Sequence, residues 1–263
     1  SLTQGSGFGQ LISLLHYVLD SARSEGDHYV VDKGIMELVR ENTNAAGRII
    51  DSLQEIDSLL SMEIKRTELS ANDIREGLKE VVQQVAKQQK IRNHQIVLSE
   101  ARDAFSHIRL ETNLDQIKRL FRELLLNAMK FSPEGTSISV LMRQQTNKLN
   151  INVLNEVKPT REKGNGQTEE GGIPLQYQNL VFEPFFRLEH SVFEDFESLD
   201  IGMGLNIVRT IADKLGGSIA ASNVKDFSDT KNIGDRILVD FELQLPLLET
   251  TAETNTARVA ASA

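Results

Sequence analysis

The sequence predicts an α+β protein, in which a helical hairpin precedes a layer of helices on one face of a mixed sheet. Three observations carry this expectation. Two long N-terminal stretches repeat apolar residues at helical spacing, separated by a short break in the pattern. Beyond residue 66, helix-period segments and alternating segments are interleaved. Two strongly periodic helices, one around Leu125 and one after Gly204, each run into turn residues and then a strand pattern.

In chain order, residues 1–7 read as a flexible start. Residues 8 to about 23 form an amphipathic helix, with Leu11, Ile12, Leu14, Leu15, Val18 and Leu19 on one side. Residues 25–32 interrupt the pattern. A second helix over residues 33–62 carries Ile35, Leu38, Val39, Ile49, Ile50, Leu53, Ile56, Leu59 and Leu60. Such a hairpin buries too little apolar surface alone, so a second copy completing a four-helix bundle, a homodimer, is expected. The alternative is a hairpin packed on the chain's own next domain. The stretch from Arg66 to Asn72 reads as a polar link, with Ser70 capping the next helix and Asp73 in its first turn. That helix covers residues 73–89. Strands follow near residues 95–98 and 106–110, and Asn113 with Gln116 opens the helix around Leu125. Residues 137–142 and 149–153 alternate around Thr146-Asn147, a hairpin with one buried face. Residues 155–172 read as a loop, and 175–182 as a short helix. Residues 203–215 read as a helix, and 218–222 and 236–245 as strands closing the sheet. The organisation expected is a hairpin at 1–66, a second domain at 67–249 and a disordered tail at 250–263.

Hydrophobic content of 40% and charged content of 25% fit a globular protein, and 263 residues suffice for a sizeable core. A formal charge of −9 argues against general nucleic-acid binding and against anionic membrane surfaces. With 0 cysteines there are no disulfides or thiolate metal sites. No apolar run reaches transmembrane length, so a cytoplasmic location is expected, with any membrane-spanning or sensory part lying outside this sequence.

The chemistry sits in two motifs. In Arg122-Glu-Leu-Leu-Leu-Asn-Ala-Met-Lys-Phe-Ser-Pro133, the residues Phe121, Leu124, Leu125 and Ala128 mark a buried face. Glu123, Asn127 and Lys130, at i, i+4 and i+7, share the opposite one. A carboxamide oxygen ligates hard cations, an ammonium meets phosphate, and a carboxylate positions an attacking group. An ordinary amphipathic helix with a polar back would show the same three residues. The second motif is Asp200-Ile-Gly-Met-Gly-Leu-Asn-Ile-Val-Arg-Thr-Ile-Ala-Asp-Lys-Leu-Gly-Gly217. Here Gly202 and Gly204 open a helix whose N–H groups suit an anion. Phe182-Glu-Pro-Phe-Phe-Arg187 precedes it.

An asparagine helix, a Phe-rich segment and a glycine loop in that order resemble the ATP-binding domain of sensor histidine kinases, within the superfamily shared with type II topoisomerases. The resemblance implies an α/β sandwich that binds ATP, with Asn127 coordinating Mg2+, Lys130 near the phosphates and Glu123 beside the transferred phosphoryl group. It also implies phosphate contacts from Gly202 and Gly204, a nucleotide contact from Leu205, and an Arg187 able to reach the terminal phosphate. The helical hairpin takes the place of a dimerisation and phosphotransfer region, with His16 as the candidate phosphoacceptor and a response-regulator receiver domain as partner.

Two departures stand out. Where the family has an Asp that binds the adenine amine, this chain has Asn155, and the following glycines arrive late, at Gly171-Gly172. Weaker adenine recognition is expected, since the amide lacks the charge that strengthens the bond. His16 is followed by Tyr17 rather than an acid, so it reads equally as a phosphoacceptor or as an ordinary helix histidine. The expected activity is an ATP-dependent protein-histidine kinase. The alternative is an ATP-binding pseudokinase that signals by conformation or by pairing. A topoisomerase-type clamp is disfavoured because the hairpin precedes the domain. Two segments are expected to be mobile: residues 156–171, rich in glycine and charge, and 190–200, a lid that nucleotide closes by packing Phe193 and Phe196.

Overall fold

The computed structural model describes residues 8–100, 103–158, 160–162, 168–188, 196, 202–226 and 236–248. The chain opens with α1 (Phe8–Ser21), a short antiparallel hairpin of β1 (Arg23–Glu25) and β2 (His28–Val30), and α2 (Lys33–Ser61). Gly26, at φ +62°, turns the β1–β2 hairpin. Asp32 caps α2, its carboxylate accepting from Gly34 N at 2.8 Å and Ile35 N at 3.3 Å. The two helices pack on each other, while Ile12, Leu15, Leu19 and Leu38 of their apolar stripes stay exposed.

A strand, β3 (Thr67–Ser70), then pairs antiparallel with β5 (Arg109–Thr112). The polar link expected over Arg66–Asn72 is thus largely strand. Its four residues are only marginally apolar, and the partner that holds them lies far along the chain. Ser70 caps α3 (Ala71–Gln84) through a full capping box with Asp73. The hydrogen bonds from the Ser70 hydroxyl and backbone N–H lower the Asp73 carboxyl below its usual range. The single helix expected to reach residue 89 instead breaks at Val85, and α4 (Ala86–Ile91) continues separately.

The main sheet is mixed, in the order β10–β11–β7–β6–β4. It comprises β4 (Gln95–Leu98), β6 (Ser137–Gln145), β7 (Lys148–Val157), β10 (Ser218–Asp226) and β11 (Arg236–Pro246). Among these described strands, only β4 runs parallel to its neighbour, β6. The strand expected at residues 106–110 begins later, after a 3-10 turn at Asp103–Ser106. Residues 155–172 are less irregular than expected: β7 continues to Val157, and β8 (Thr160–Glu162) pairs with β9 (Thr168–Glu170). Helices α5 (Leu114–Phe131) and α6 (Gly204–Lys214) lie on one face of the sheet, and α3 packs against α5. Leu149, Ile151 and Val153 of β7 and Val239, Phe241 and Leu243 of β11 face those helices and are buried. The short helix expected at 175–182 resolves into two 3-10 turns, Leu175–Tyr177 and Leu180–Phe182. The tail at 250–263 and most of the lid segment lie outside the described residues; Phe196, described within the lid, is already packed in the core.

The end of α2 is docked on the second half of the chain. Leu59 is buried in the main core, with Ile56 and Ile64 against it. The Lys214 ammonium donates to Leu60 O at 2.7 Å and Met62 O at 2.9 Å, two carbonyls at the C-terminus of α2. In return, Arg66 Nη2 donates to Lys214 O at 2.7 Å, at the C-terminus of α6. Each helix end is therefore capped by a cation from the other element.

The opposite face of the sheet carries a polar ladder. Asn152 Nδ2 donates to the Asp240 carboxylate at 2.9 and 3.1 Å, and Asn150 Nδ2 donates to Glu242. Burial raises the Asp240 carboxyl above the ordinary carboxylate value, the Asn152 bond opposes this, and neighbouring Glu242 adds to it. A raised folded-state value means that the folded protein holds this proton more tightly than the unfolded chain does. Stability therefore falls as pH rises through and above 3.8, the ordinary Asp value. Replacing Asp240→Asn keeps the acceptor for Asn152 and removes the buried charge. The variant should melt above the parent at pH 7, with the difference closing as pH falls below 3.8. Thermal melts across that range check it; a variant that melts lower at pH 7 would show that the charge stabilises the ladder.

Candidate functional site

The site is built around α5. Its sequence fixes both ends: Asn113 Oδ1 accepts from Gln116 N at 3.0 Å, and the buried His94 ring bridges Met129 O at 2.9 Å and Thr136 O at 3.1 Å. Ile117, Leu120, Phe121, Leu124, Leu125 and Ala128 are all buried against sheet and neighbouring helices. With that face committed, Glu123 and Asn127 sit half-exposed on the other side, one turn apart. Lys130, expected on the same face, is only 8% exposed, so its side chain is largely enclosed by the fold.

The glycine loop meets α5 at Glu123. A Cβ placed on Gly204 would lie 3.0 Å from Glu123 Oε2, which sets the carboxylate against the N-terminus of α6. Met203 holds the cap position there, and its own side chain makes no capping bond. Gly202 adopts φ +77°, and a Cβ there would lie 2.7 Å from Phe186 O and 3.1 Å from Arg187 Cγ. Phe185 N donates to Gly202 O at 2.9 Å, and Phe185 itself takes the left-handed conformation at φ +63°. A strained aromatic held against a glycine loop is the kind of local cost that a ligand site retains. Leu205 is half-buried against the core.

Structure thus gathers Glu123, Arg187, Gly202, Gly204 and Leu205 around one helix N-terminus, with Asn127 a turn further along α5. Asn155 and Gly172 lie elsewhere, Asn155 on β7 and Gly172 against Asn223 of β10. Asn155 is 2% exposed, its Nδ2 donates to Glu156 O at 3.3 Å, and its Oδ1 has no hydrogen-bond partner among the described residues. Gly172 takes φ +85° and lies against Asn223, which accepts from Ile173 N and donates to Ile173 O, both at 2.9 Å. These features fit a nucleotide: an unsatisfied buried acceptor for a base amine, glycines that keep the backbone close-packed at a helix N-terminus, and an amide oxygen suited to Mg2+.

Several residues in these contacts carried no sequence signal. Asn223 reads as one strand residue among many. Asn206, which donates to Phe182 O at 3.0 Å, reads as a helix surface position. So does Arg209, which stacks 5.0 Å from the Phe182 ring centroid and pairs with Glu183 at 3.1 Å. These two tie the Phe-rich segment to α6. His16 is the residue the structure does not bring to the site. It is exposed on α1, where its neighbours Ser13 and Tyr17 line a groove with Leu38 and Asn42 of α2. That level is about 30 Å along α2 from its docked end, at 1.5 Å per residue.

The histidine kinase-, DNA gyrase B- and HSP90-like ATPase family matches residues 112–247, more than half of the chain. The chain belongs to that family. A probable sensor protein PcoS from Escherichia coli is 30% identical over 107 residues, 41% of this chain and 20% of the relative. A probable sensor kinase SilS from Salmonella typhimurium is 27% identical over 42% of this chain and 19% of its own. The chain therefore spans about a fifth of the length of these curated relatives. Among solved structures, histidine kinase ThkA in complex with response regulator protein TrrA superposes with a TM-score of 0.54 at 18% identity, covering 90% of this chain and 58% of that one. Acinetobacter baumannii histidine kinase AdeS gives 0.51 at 13% identity over 92% and 95%. The α+β fold and the resemblance to a sensor-histidine-kinase core both hold, and the similarity to AdeS extends over the N-terminal helices. No helix among the described residues is long and apolar enough to cross a membrane.

Gly202 offers a direct check of the loop. Gly202→Ala would force a side chain into a left-handed conformation and against Phe186 O, a backbone atom that cannot swing away. We expect a loss of about 1–3 kcal/mol in stability and a marked fall in ATP-analogue affinity, read by melting and calorimetry. Unchanged affinity would detach this loop from the site.

Proposed function

We propose that the chain is the ATP-dependent catalytic core of a two-component sensor histidine kinase. The observation that carries this reading is the apposition of Glu123 to Gly204, which joins the polar face of α5 to the N-terminus of α6. ATP is the substrate. Gly202, Gly204 and the α6 N-terminus cradle its phosphates, Arg187 and Lys130 offset their charge, and Asn155 meets the base. Mg2+ on Asn127 would neutralise the phosphate oxygens as charge shifts towards the leaving group. Glu123 orients the attacking imidazole and accepts its proton. The imidazole nitrogen bonds to the γ-phosphorus, the bond from that phosphorus to the β–γ bridging oxygen breaks, and ADP leaves. The phosphoryl group then passes to an aspartate of a response-regulator receiver domain, the partner class named for ThkA.

His16 is the proposed acceptor, supported by its exposure on α1. Its level on the hairpin, about 30 Å along α2 from the docked end, means that transfer follows a rearrangement of the ATP-binding half or reaches another copy of the chain. A second copy is also suggested by the hairpin surface, where Ile12, Leu15, Leu19, Leu38, Leu53 and Leu60 are exposed. The same placement of His16, with Tyr17 after it, favours the second reading: an ATP-binding pseudokinase without its own phosphohistidine.

Incubation with γ-labelled ATP separates the two. A kinase takes up acid-labile label that His16→Gln removes; a pseudokinase binds Mg·ATP and takes up none. In either case Asn127→Ala should weaken magnesium-dependent nucleotide binding by at least about tenfold, the scale on which even outer-shell ligands register. Equal affinity of parent and variant by calorimetry would remove Asn127 from the site. Light scattering should give a dimer mass at tens of micromolar, and a monomer there would reject the four-helix bundle.

A further inference from the structure

The base subsite has a reader with two faces. Asn155 is 2% exposed, yet its Oδ1 has no partner among the described residues, and its Nδ2 makes one bond, to Glu156 O at 3.3 Å. A buried amide with one end unsatisfied and the other on a long bond is poised for a ligand, because leaving it so costs free energy. Its position in the sheet says what kind of ligand. Ile138, Asn155, Val239 and Asn223 form one cross-strand row on the helix-facing side. Ile138 and Val239 flank Asn155 with buried aliphatic side chains. Asn223, two strands away and so about 10 Å from Asn155, holds the Gly172-Ile173 backbone flat on the sheet through both of its amide atoms. Gly172 lies so close that a Cβ would stand 2.6 Å from Asn223 Oδ1. Asn155 thus sets one unpaired amide between two aliphatic neighbours, a setting that suits the polar edge of a planar heterocycle.

From this geometry we infer that Asn155 reads both 6-amino and 6-oxo purines, so that the site accepts guanine and hypoxanthine nucleotides beside adenine ones. The inference rests on the nucleotide reading of this site and deepens it. As seated, Oδ1 accepts from the 6-amino group of adenine. A half-turn of the amide about its Cβ–Cγ bond releases the long bond to Glu156 O and presents Nδ2 to a 6-oxo oxygen. A carboxylate here would accept from the amine but repel the oxo group, since it has no proton to donate. The amide thus exchanges the strength of a charged bond for tolerance. At position 6 the amide makes one neutral hydrogen bond to either purine, so that position should separate their affinities by about tenfold or less.

The test is calorimetry on the full chain with Mg2+ and non-hydrolysable analogues of ATP and GTP, together with the triphosphate of unsubstituted purine riboside. The two substituted purines should bind within about tenfold of each other, and the unsubstituted purine more weakly than both because it leaves Asn155 unpaired. Asn155→Asp should weaken the GTP analogue by at least about tenfold relative to the ATP analogue. If the parent rejects the GTP analogue by more than about a hundredfold while binding the ATP analogue, the inference falls and the ATP reading stands. Equal binding of the unsubstituted purine and the ATP analogue overturns it without any variant, as does an unchanged preference in the Asn155→Asp variant. Failure of all three nucleotides to bind removes the ATP reading itself.

Discussion

Helix α5 has to serve two surfaces at once, and the remaining architecture follows from how it does so. Its apolar side is committed to β7, α3 and the main core, where Ile117, Leu120, Leu124, Leu125 and Ala128 are excluded from water. Burying a side chain of this size stabilises by roughly 1.5–3 kcal/mol, so rotation of the helix about its axis is strongly opposed. That rotational lock holds Glu123 against Gly204 of α6 and keeps Asn127 half-exposed one turn further on. The ends are fixed as well, by Asn113 at the start and by His94 at the finish. A site assembled on such a helix is preorganised by the core rather than by its own polar contacts.

Much of this was legible in the sequence because it is local. The 3.6-residue period of α5, the caps at Ser70 and Asn113, and the Gly-x-Gly before α6 each depend on residues a few positions apart. What escaped was set by distant partners. β3 exists because Thr67–Ser70 meets Arg109–Thr112, and the same residues without that partner read as a link. Asn223 gains its role only when Gly172 and Ile173 are laid beside it, some 50 positions away in sequence. Asn206 and Arg209 likewise matter through Phe182 and Glu183. The break at Val85 had no Gly or Pro to announce it.

The sheet divides its two faces between different tasks. Towards the helices it is aliphatic around Asn155. Away from them, Asn150, Asn152, Asp240 and Glu242 bond across strands, so a polar set covers the far side of β7 and β11. The alternation places Asn155 among apolar neighbours, where its amide has few protein groups to bond.

The exchange of cationic caps between α2 and α6 makes those two helices a mechanical pair. Lys214 grips the last carbonyls of α2, Arg66 grips that of α6, and Leu59 wedges between the two halves. Helix α6 is 11 residues long, a stiff strut of about 16 Å whose far end is Gly204. Torque applied along α2 is therefore delivered through two charged grips to the base of the strut, and emerges at the glycine loop. A twist of the hairpin would therefore load the same strut that carries the Gly202–Gly204 loop at its other end.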